Sequence, residues 1–333
     1  MKMRVTVLGA GSWGTTVANI AAANAPTRVW ARNPEAAREI NEQHSNERYL
    51  PAAKLHDNLR ATADLEEAVR EADALVIGIP SHGFREILET AAPHVRPWVP
   101  IVSLTKGLEQ GSMLRMSQII EELMPDHPAA VLTGPNLARE IVDGKAAASV
   151  IAVRDLKVAA ALQRVFTKGL FRVYTNHDVI GCELGGALKN VIAIATGMAE
   201  ALMVGDNTRS LVITRGLAEL TRLGVAMGGE PATFAGLAGL GDLLATCISQ
   251  HSRNRYVGEQ LGRGRSIEEI TAEMHMVAEG VKTSSVVVEL AKQYDVEMPI
   301  ADQIQKVIYE GRDPGEAYTG LRRRPAGHES ESG

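Results

Sequence analysis

The stretch VTVLGAGSWG, residues 5–14, decides the fold of the first half of this chain. Gly9, Gly11 and Gly14 have the spacing G-x-G-x-x-G, directly after a β-branched run and before an alanine-rich helical segment. In this context the first glycine permits a tight turn, the second admits a pyrophosphate, and the third lets helix and strand pack closely. The stretch therefore predicts a dinucleotide-binding turn. The alternative is a glycine-rich turn that binds no ligand.

The residues around this turn indicate which dinucleotide would bind. Backbone N–H groups of Ser12 and Trp13 would face the phosphates at the helix N-terminus. Sites for NAD usually carry Asp or Glu about 20 residues further on, bonded to the ribose 2′-OH. Here the second strand is followed by Arg32, which suits a 2′-phosphate. We therefore expect NADPH to be preferred and NADH to be possible, unless Arg32 is simply a solvated loop residue.

Strand and helix patterns alternate through the first half of the chain. Such alternation, with near-continuous apolar strands, predicts an α/β Rossmann-like, doubly wound parallel sheet. After about residue 176 strand patterns nearly vanish and long helical patterns follow, which predicts an all-α domain. We expect an NAD(P)-binding domain over residues 1–180, a helical substrate and catalytic domain over 181–325, and a polar tail over 326–333. The strand candidates are RVTVLG, TRVWAR, ADALVIGIP, VPIVSLT, AAVLTGP and ASVIAV.

The composition is that of an ordinary globular protein. Hydrophobic residues make up 45% of the 333 residues and charged residues 23%, which is typical of soluble domains. Only two cysteines occur, Cys182 and Cys247, so we expect no disulfide framework and a cytoplasmic location. The net charge of −5 argues against a dedicated nucleic-acid binder. We also expect neither a signal peptide nor a membrane span.

Three charged residues stand alone in apolar sequence. Lys189 is the only charge between residues 185 and 199, Asp242 is the only charge between 232 and 247, and Lys106 follows a first-half strand. An unpaired buried charge is unfavourable, so Asp242 is the natural partner of Lys189. In one alternative the aliphatic part of the Lys189 side chain is buried while its ammonium group reaches solvent. In the others, Lys189 and Asp242 form a purely structural ion pair, or each pairs with a different residue.

Two further segments offer groups that bind anions. Ser252, Arg253 and Asn254 supply a hydroxyl, a guanidinium and an amide within three residues, and arginine matches phosphate geometry. The segment LTGPNLAREI, residues 132–141, turns at Gly-Pro after a strand, where Asn136 and Ala138 could bring backbone N–H groups to the ligand crevice. The nine histidines show no metal-ligand spacing, so we expect no metal.

Taken together, these motifs resemble the NAD(P)-dependent glycerol-3-phosphate dehydrogenase family of the bacterial soluble type. The resemblance runs through nearly the whole chain. It is carried by VLGAGSWGTTVA, WARNPE, SLTKGLE, TGPNLAREI, GCELGGALKNVIAIATG, GLAGLGDLLATC, SRNRYVG and VAEGVKTS.

The resemblance implies reversible reduction of dihydroxyacetone phosphate to sn-glycerol 3-phosphate by NADPH or NADH, which would supply phospholipid synthesis. It implies catalytic roles for Lys189, Lys106, Asp242, Thr246 and Asn190. It implies substrate contacts from Lys106, Gly134, Asn136, Lys189, Asp242, Ser252, Arg253 and Asn254. Beside the three glycines of the turn, it implies cofactor contacts from Ser12, Trp13, Arg32, Lys106, Ala138, Arg253, Val277 and Glu279. Asn136 stands where many members have serine.

The expected partners are small molecules and a second copy in a homodimer. Three other functions stay open at this point. One is a two-domain dehydrogenase of the same layout that acts on a hydroxy acid. The others are an NADPH-binding regulatory protein without turnover and a nucleic-acid binder that uses the arginines near Arg253.

Overall fold

The computed structural model describes residues 3–274 and 278–322 of the chain. The predicted Val277 and the predicted tail over 326–333 lie outside the described residues. Eight strands occur in the described part: β1 (Val5–Leu8), β2 (Thr27–Trp30), β3 (Leu59–Thr62), β4 (Ala74–Ile77), β5 (Ile101–Ser103), β6 (Ala129–Thr133), β7 (Ala147–Ala152) and β8 (Phe171–Asn176).

All eight strands form one sheet in the order β3-β2-β1-β4-β5-β6-β7-β8. The chain moves outward from β1 through β2 to β3 and then returns to β4 beside β1, with a register that pairs Val5 with both Thr27 and Ala74. This reversal of direction creates a topological switch point, where α/β sheets bind ligands at the carboxyl ends of the strands. The glycine turn follows β1 and therefore lies at that point. The predicted α/β fold class is confirmed.

The sheet differs from the prediction at one junction and at both edges. β6 and β7 pair antiparallel, whereas a wholly parallel sheet was expected. The helix between them, Ala138–Val142, is only five residues long, too short to return the chain to the opposite end of the sheet as a parallel crossover requires. Strands β3 and β8 were not predicted. They are the two edge strands, and edge strands alternate polar and apolar residues instead of forming continuous apolar runs.

Helices cover both faces of this sheet. Successive residues of β4 alternate between two apolar clusters: Val76 packs in one, with Val5 and Val102, and Ile77 packs in the other. The alternation follows from the two-residue period of a strand. The helices of the α/β part are α1 (Ser12–Ala22), α2 (Pro34–Gln43), α3 (Leu65–Val69), α4 (Ser81–Ala91), α5 (Met116–Leu123), α6 (Ala138–Val142) and α7 (Leu156–Phe166).

The described residues that follow β8 are mainly helical, as predicted. A π-helical turn, Leu237–Gly241, interrupts the series between the tenth and eleventh helices. The helices are α8 (Val179–Ala201), α9 (Asp206–Ala226), α10 (Pro231–Phe234), α11 (Asp242–Ile248), α12 (Arg253–Gly262), α13 (Ile267–Glu273), α14 (Glu279–Gln293), α15 (Pro299–Glu310) and α16 (Pro314–Arg322).

The chain divides into two compact units between Cys182 and Glu183, and residues 107–113 group with the second unit. Helix α8 contains this division and is buried without interruption from Gly181 to Ala199. A helix that is apolar all round is a core helix, so the predicted burial of the segment around Lys189 is confirmed.

Two helical segments of the described chain are long and apolar enough to cross a membrane, judged by length and composition alone. They are Val179–Ala201, of which 94% of the tested window is buried, and Pro231–Ile248, of which 44% is buried. Because the core helix of a globular protein meets the same criterion, this is weak evidence for a membrane span.

Candidate active site

The glycine turn after β1 leaves no room for a side chain at its first and third glycines. Gly9 has a φ of +110°, and a methyl group added there would lie 2.7 Å from the carbonyl oxygen of Gly78. A methyl group added at Gly14 would overlap the carbonyl oxygen of Gly9. Gly9 is therefore required both by its positive φ and by the nearby backbone of Gly78. Gly14 permits α1 to lie against the end of β1.

The middle glycine of the turn faces open space instead. Apart from the two chain neighbours of Gly11, no described residue has a heavy atom within 4 Å of a methyl group built on Gly11. Gly11 is also the N-cap of α1, and no side chain caps that helix, so the first N–H groups of α1 lack intrahelical acceptors. Two residues further on, Nε1 of Trp13 is buried and has no hydrogen-bond partner among residues 3–274 and 278–322. Uncapped N–H groups at an open helix N-terminus fit the pyrophosphate of a dinucleotide.

Arg32 follows β2, the strand next to β1 in the sheet. Its side chain is exposed and makes no hydrogen bond or ion pair with any described residue. The guanidinium is therefore available to an anion from solvent, as the sequence predicts for a 2′-phosphate.

Four predicted residues lie where β5 and β6 end. Lys106 Nζ donates to the carbonyl oxygen of Gly134 at 2.7 Å, and Gly134 has a φ of +135°. Asn136 Oδ1 accepts from Ser149 Oγ at 2.9 Å, while its Nδ2 donates to a backbone oxygen of β7 at 3.3 Å. Asn136 is thus anchored to β7. Ala138 begins α6.

Lys189 and Asp242 are in contact, as their isolation in the sequence predicted. Lys189 Nζ lies 2.6 Å from Asp242 Oδ1, and the two side chains are only 5% and 1% exposed. Lys189 also donates to Thr246 Oγ1. The Thr246 hydroxyl in turn donates to the backbone oxygen of Asp242 at 2.7 Å, so it presents a lone pair to the lysine. This buried cluster joins α8 to α11.

A second polar chain joins three helices of the same unit. Asn254 Nδ2 donates to Asn190 Oδ1 at 2.8 Å, and Asn254 Oδ1 accepts from the backbone N–H of Gly280 at 3.0 Å. A methyl group on Gly280 would lie 2.6 Å from the backbone oxygen of Asn190. The sequence predicted Asn190 and Asn254 as site residues but gave no sign of their contact or of Gly280.

Helix α12 begins at the predicted anion-binding segment. Ser252 caps the helix, its Oγ accepting from the N–H of Arg255 at 3.2 Å. Arg253 reaches solvent, yet surrounding protein lowers its pKa by desolvation, an effect that the Glu279 carboxylate opposes. A guanidinium that is accessible but incompletely hydrated is well suited to bind an anion.

The described residues contain no group of three or more His, Cys, Asp or Glu side chains that could hold a metal ion. Besides Gly280, the sequence analysis missed the π turn in GLAGLG, residues 236–241. Its closely spaced glycines were a signal of tight backbone packing, but periodicity alone does not distinguish a π turn from an α-helix.

Comparison with known proteins assigns both parts of the chain. The family model described as NAD-dependent glycerol-3-phosphate dehydrogenase N-terminus matches residues 4–159, and the C-terminus model matches residues 178–319.

Full-length relatives carry the same name. The chain is 55% identical to "Glycerol-3-phosphate dehydrogenase [NAD(P)+] 2" of Sphingopyxis alaskensis over 333 residues, which is all of both chains. It is 57% identical to "Glycerol-3-phosphate dehydrogenase [NAD(P)+]" of Mycobacterium avium, covering 98% of this chain and 96% of the relative. The crystal structure of glycerol-3-phosphate dehydrogenase from Coxiella burnetii aligns with a TM-score of 0.93 at 35% identity, covering 97% and 99% of the two chains. On these matches, the chain belongs to the NAD-dependent glycerol-3-phosphate dehydrogenase family.

Proposed function

We propose that this protein catalyses the reversible NAD(P)H-dependent reduction of dihydroxyacetone phosphate to sn-glycerol 3-phosphate. The observation that carries the proposal is the buried contact of Lys189 with Asp242 and Thr246. The bound nicotinamide cofactor supplies a hydride to the substrate carbonyl carbon. The residues of this chain hold the two ligands and stabilise the oxygen on which negative charge develops.

Lys189 is the proposed donor to that oxygen. A lysine ammonium has three N–H donors, of which Asp242 and Thr246 take two. The third is left for the carbonyl oxygen of the substrate. As the hydride arrives at carbon, the ammonium stabilises the developing oxyanion and transfers a proton to it, leaving the hydroxyl group of the product and a neutral amine. Asp242 and Thr246 hold the amine in place.

Arg253 is the proposed ligand of the substrate phosphate. Its neighbours Ser252 and Asn254 already use side-chain atoms to cap α12 and to bond Asn190 and Gly280. We therefore assign most of the phosphate binding energy to Arg253. Lys106, with Gly134 and Asn136, is proposed to contribute further substrate contacts.

The cofactor is proposed to bind through the glycine turn, with Ser12 and Trp13, and through Ala138, Val277 and Glu279. Exposed, unpaired Arg32 supports a preference for NADPH over NADH. Replacement of Arg32 by Ala is expected to lower kcat/KM for NADPH and to leave that for NADH nearly unchanged. An unaltered ratio of the two values would remove Arg32 from the 2′-phosphate site.

The decisive test of the proposed function is the initial rate of NADPH oxidation with dihydroxyacetone phosphate, repeated with NADH. We expect saturable oxidation that yields sn-glycerol 3-phosphate. A hydroxy-acid dehydrogenase of the same layout would instead turn over a 2-oxo acid, and a regulatory NADPH-binding protein would turn over neither. Tight, steeply salt-dependent binding of DNA or RNA would favour the nucleic-acid alternative.

The setting of the reaction is also a proposal. Both cysteines are buried, and neither forms a disulfide bond with a described residue, which supports a reducing, cytoplasmic location. We propose that the product supplies phospholipid synthesis and that the enzyme is a homodimer. Light scattering on the purified protein should give twice the chain mass of 35.7 kDa, and a monomer mass would exclude the dimer.

A further inference from the structure

Helix α8 packs closely against the π turn, Leu237–Gly241, at Gly185. A methyl group built on Gly185 would lie 2.5 Å from the backbone oxygen of Ala238 and 3.4 Å from Cα of Gly239. Outside its own residue and the adjoining backbone, a real Cβ atom essentially never has a heavy atom within 3.0 Å. Any side chain at position 185 would therefore push the π turn away from α8.

The contact of Gly185 with Ala238 and the contact of Lys189 with Asp242 are separated by the same number of residues on both segments. Residue 189 lies four positions after 185, and residue 242 lies four positions after 238. Four residues are about one helical turn, or about 6 Å of rise. The backbone contact between Gly185 and Ala238 and the side-chain contact at 2.6 Å are thus successive contacts of the same two segments. Displacement of the first displaces the second.

The π turn also decides which way Asp242 faces. The N–H of Gly241 donates to the carbonyl oxygen of Gly236, five residues earlier, at 3.0 Å. A π turn holds one residue more than an α turn, and one residue corresponds to about 100° of rotation around a helix. With this extra residue Asp242 is buried, whereas Leu244 and Ile248 of the same helix are 36% and 66% exposed.

We infer that Gly185 and the π turn are a positioning device that sets the distance and direction of Asp242 relative to Lys189. The inference rests on the proposed role of Lys189 in proton transfer. Neither Gly185 nor the π turn touches the reacting atoms by this assignment, so they act on the reaction only through the Lys189–Asp242 contact.

The test is the Gly185→Ala variant, assayed with dihydroxyacetone phosphate and NADPH. Alanine favours a helix more than glycine does, so any intrinsic effect on α8 is stabilising. A displacement of catalytic groups by about 1 Å can lower turnover by about 10²-fold. We expect kcat to fall by that order, while NADPH affinity and the Michaelis constant for dihydroxyacetone phosphate stay within about threefold of wild type.

A matched control is available at the other end of α8. A methyl group added at Gly262, the last residue of α12, would lie 2.8 Å from Cβ of Ala201 and 3.0 Å from the backbone oxygen of Met198. Gly262→Ala therefore also crowds the backbone of α8, but nine residues beyond Lys189. We expect wild-type kcat from this variant. An equal loss of kcat in both variants would show a general packing effect and overturn the inference.

A second substitution at Asp242 separates a positioning role of Gly185 from a purely structural one, because only a positioning defect should be partly corrected by a longer carboxylate side chain. In an otherwise wild-type chain, the Asp242→Glu side chain is one methylene longer than the separation of α8 and α11 allows, and we expect a lower kcat. In the Gly185→Ala background the longer arm spans the widened gap. We expect Gly185→Ala/Asp242→Glu to have a higher kcat than Gly185→Ala alone. Additive losses in the double variant would contradict the inference.

If Gly185→Ala is too unstable to assay, a milder substitution in the π turn tests the same positioning role. Ala238→Gly adds no atoms but frees the backbone of the π turn, and we expect a several-fold lower kcat with unchanged substrate affinity. Wild-type kcat in this variant would overturn the inference.

Failure of the proposed function is distinguished by a separate variant. If Lys189→Ala retains turnover, the proposed role of Lys189 is wrong and the inference is wrong with it. If Lys189→Ala is inactive but Gly185→Ala is fully active, only the inference fails.

Discussion

The two compact units of this protein differ in the kind of candidate ligand-binding feature that each contains. In the α/β unit the ligand-binding feature is backbone: a turn shaped by Gly9 and Gly14 and an uncapped helix N-terminus at Gly11. In the helical unit it is a set of buried side chains around Lys189, whose ammonium is held by Asp242 and Thr246.

This difference has consequences for the response to mutation. A backbone site depends on the absence of side chains, so it is damaged by added atoms. A buried charged cluster depends on each partner, so it is damaged by removed atoms, because the remaining charge is left unpaired in a low-dielectric interior. Cofactor binding should therefore respond to added atoms at the glycine turn, and chemistry should respond to the loss of a partner around Lys189.

The largest effect is expected from Lys189→Ala. Loss of the proton donor should lower kcat by roughly 10²–10⁴-fold, measured as NADPH oxidation with dihydroxyacetone phosphate. The substitution also leaves Asp242 buried without its cation, which lowers the free energy of unfolding by about 3–5 kcal/mol. Lys189→Ala/Asp242→Asn is the control, because it should regain stability without activity. Recovery of turnover by this control would contradict the assigned role.

The next largest effect is expected from Gly14→Ala. The added methyl group would overlap the backbone of Gly9 and displace α1 from the end of β1, which should raise the Kd for NADPH by at least about tenfold. Gly83→Ala is a matched control, because its methyl group would meet only the Ile79 side chain, at 3.3 Å. Equal NADPH affinity in the two variants would argue against the turn as the pyrophosphate site.

A smaller, substrate-specific effect is expected from Arg253→Ala. Loss of charged hydrogen bonds to phosphate, worth about 1.5–3 kcal/mol, should raise the Michaelis constant for dihydroxyacetone phosphate by about 10- to 100-fold. The exposed Arg263, ten residues later in the chain, serves as the control, and Arg263→Ala should leave the constant unchanged. An unchanged constant in Arg253→Ala would remove the phosphate role.

The smallest effect is expected at a surface site of the first unit, Asp73. Burial tends to raise the pKa of Asp73, but hydrogen bonds from the Arg4 backbone N–H, Arg96 and the Arg4 side chain outweigh it and lower the pKa from 3.8 to about 2. Because the folded pKa is lowered, the stabilisation is complete above about pH 4 and is lost as the pH falls through about 2.

Asp73→Asn should therefore lower the free energy of unfolding at pH 7 by about 1 kcal/mol, a value reduced for solvent screening. Chemical denaturation from pH 7 down to pH 2 should show this difference shrinking below about pH 4, with activity at pH 7 unaffected. A difference that grows in acid would contradict the assigned sign.

The contrast between the units also explains what the sequence could predict. The glycine turn is local, because its three glycines, strand and helix are contiguous, and the structure has the predicted form. The contact of Lys189 with Asp242 spans 53 residues but was predictable, since each is the lone charge in an apolar run and a buried charge needs a partner.

Features that depend on nonlocal packing were not predictable from one sequence. The antiparallel junction of β6 and β7 depends on how far a short helix carries the chain. The chain of hydrogen bonds from Asn190 through Asn254 to Gly280 depends on which helix ends meet. Gly185 resembles its neighbour Gly186 in the sequence, and only the approach of the π turn distinguishes it.

The central claim is that cofactor binding and proton transfer are carried by different parts of the chain. The most direct measurement is the equilibrium affinity of the Lys189→Ala variant for NADPH, determined by fluorescence titration beside wild type. We expect the two dissociation constants to agree within about twofold while turnover is lost. A loss of NADPH affinity that parallels the loss of turnover would contradict the claim.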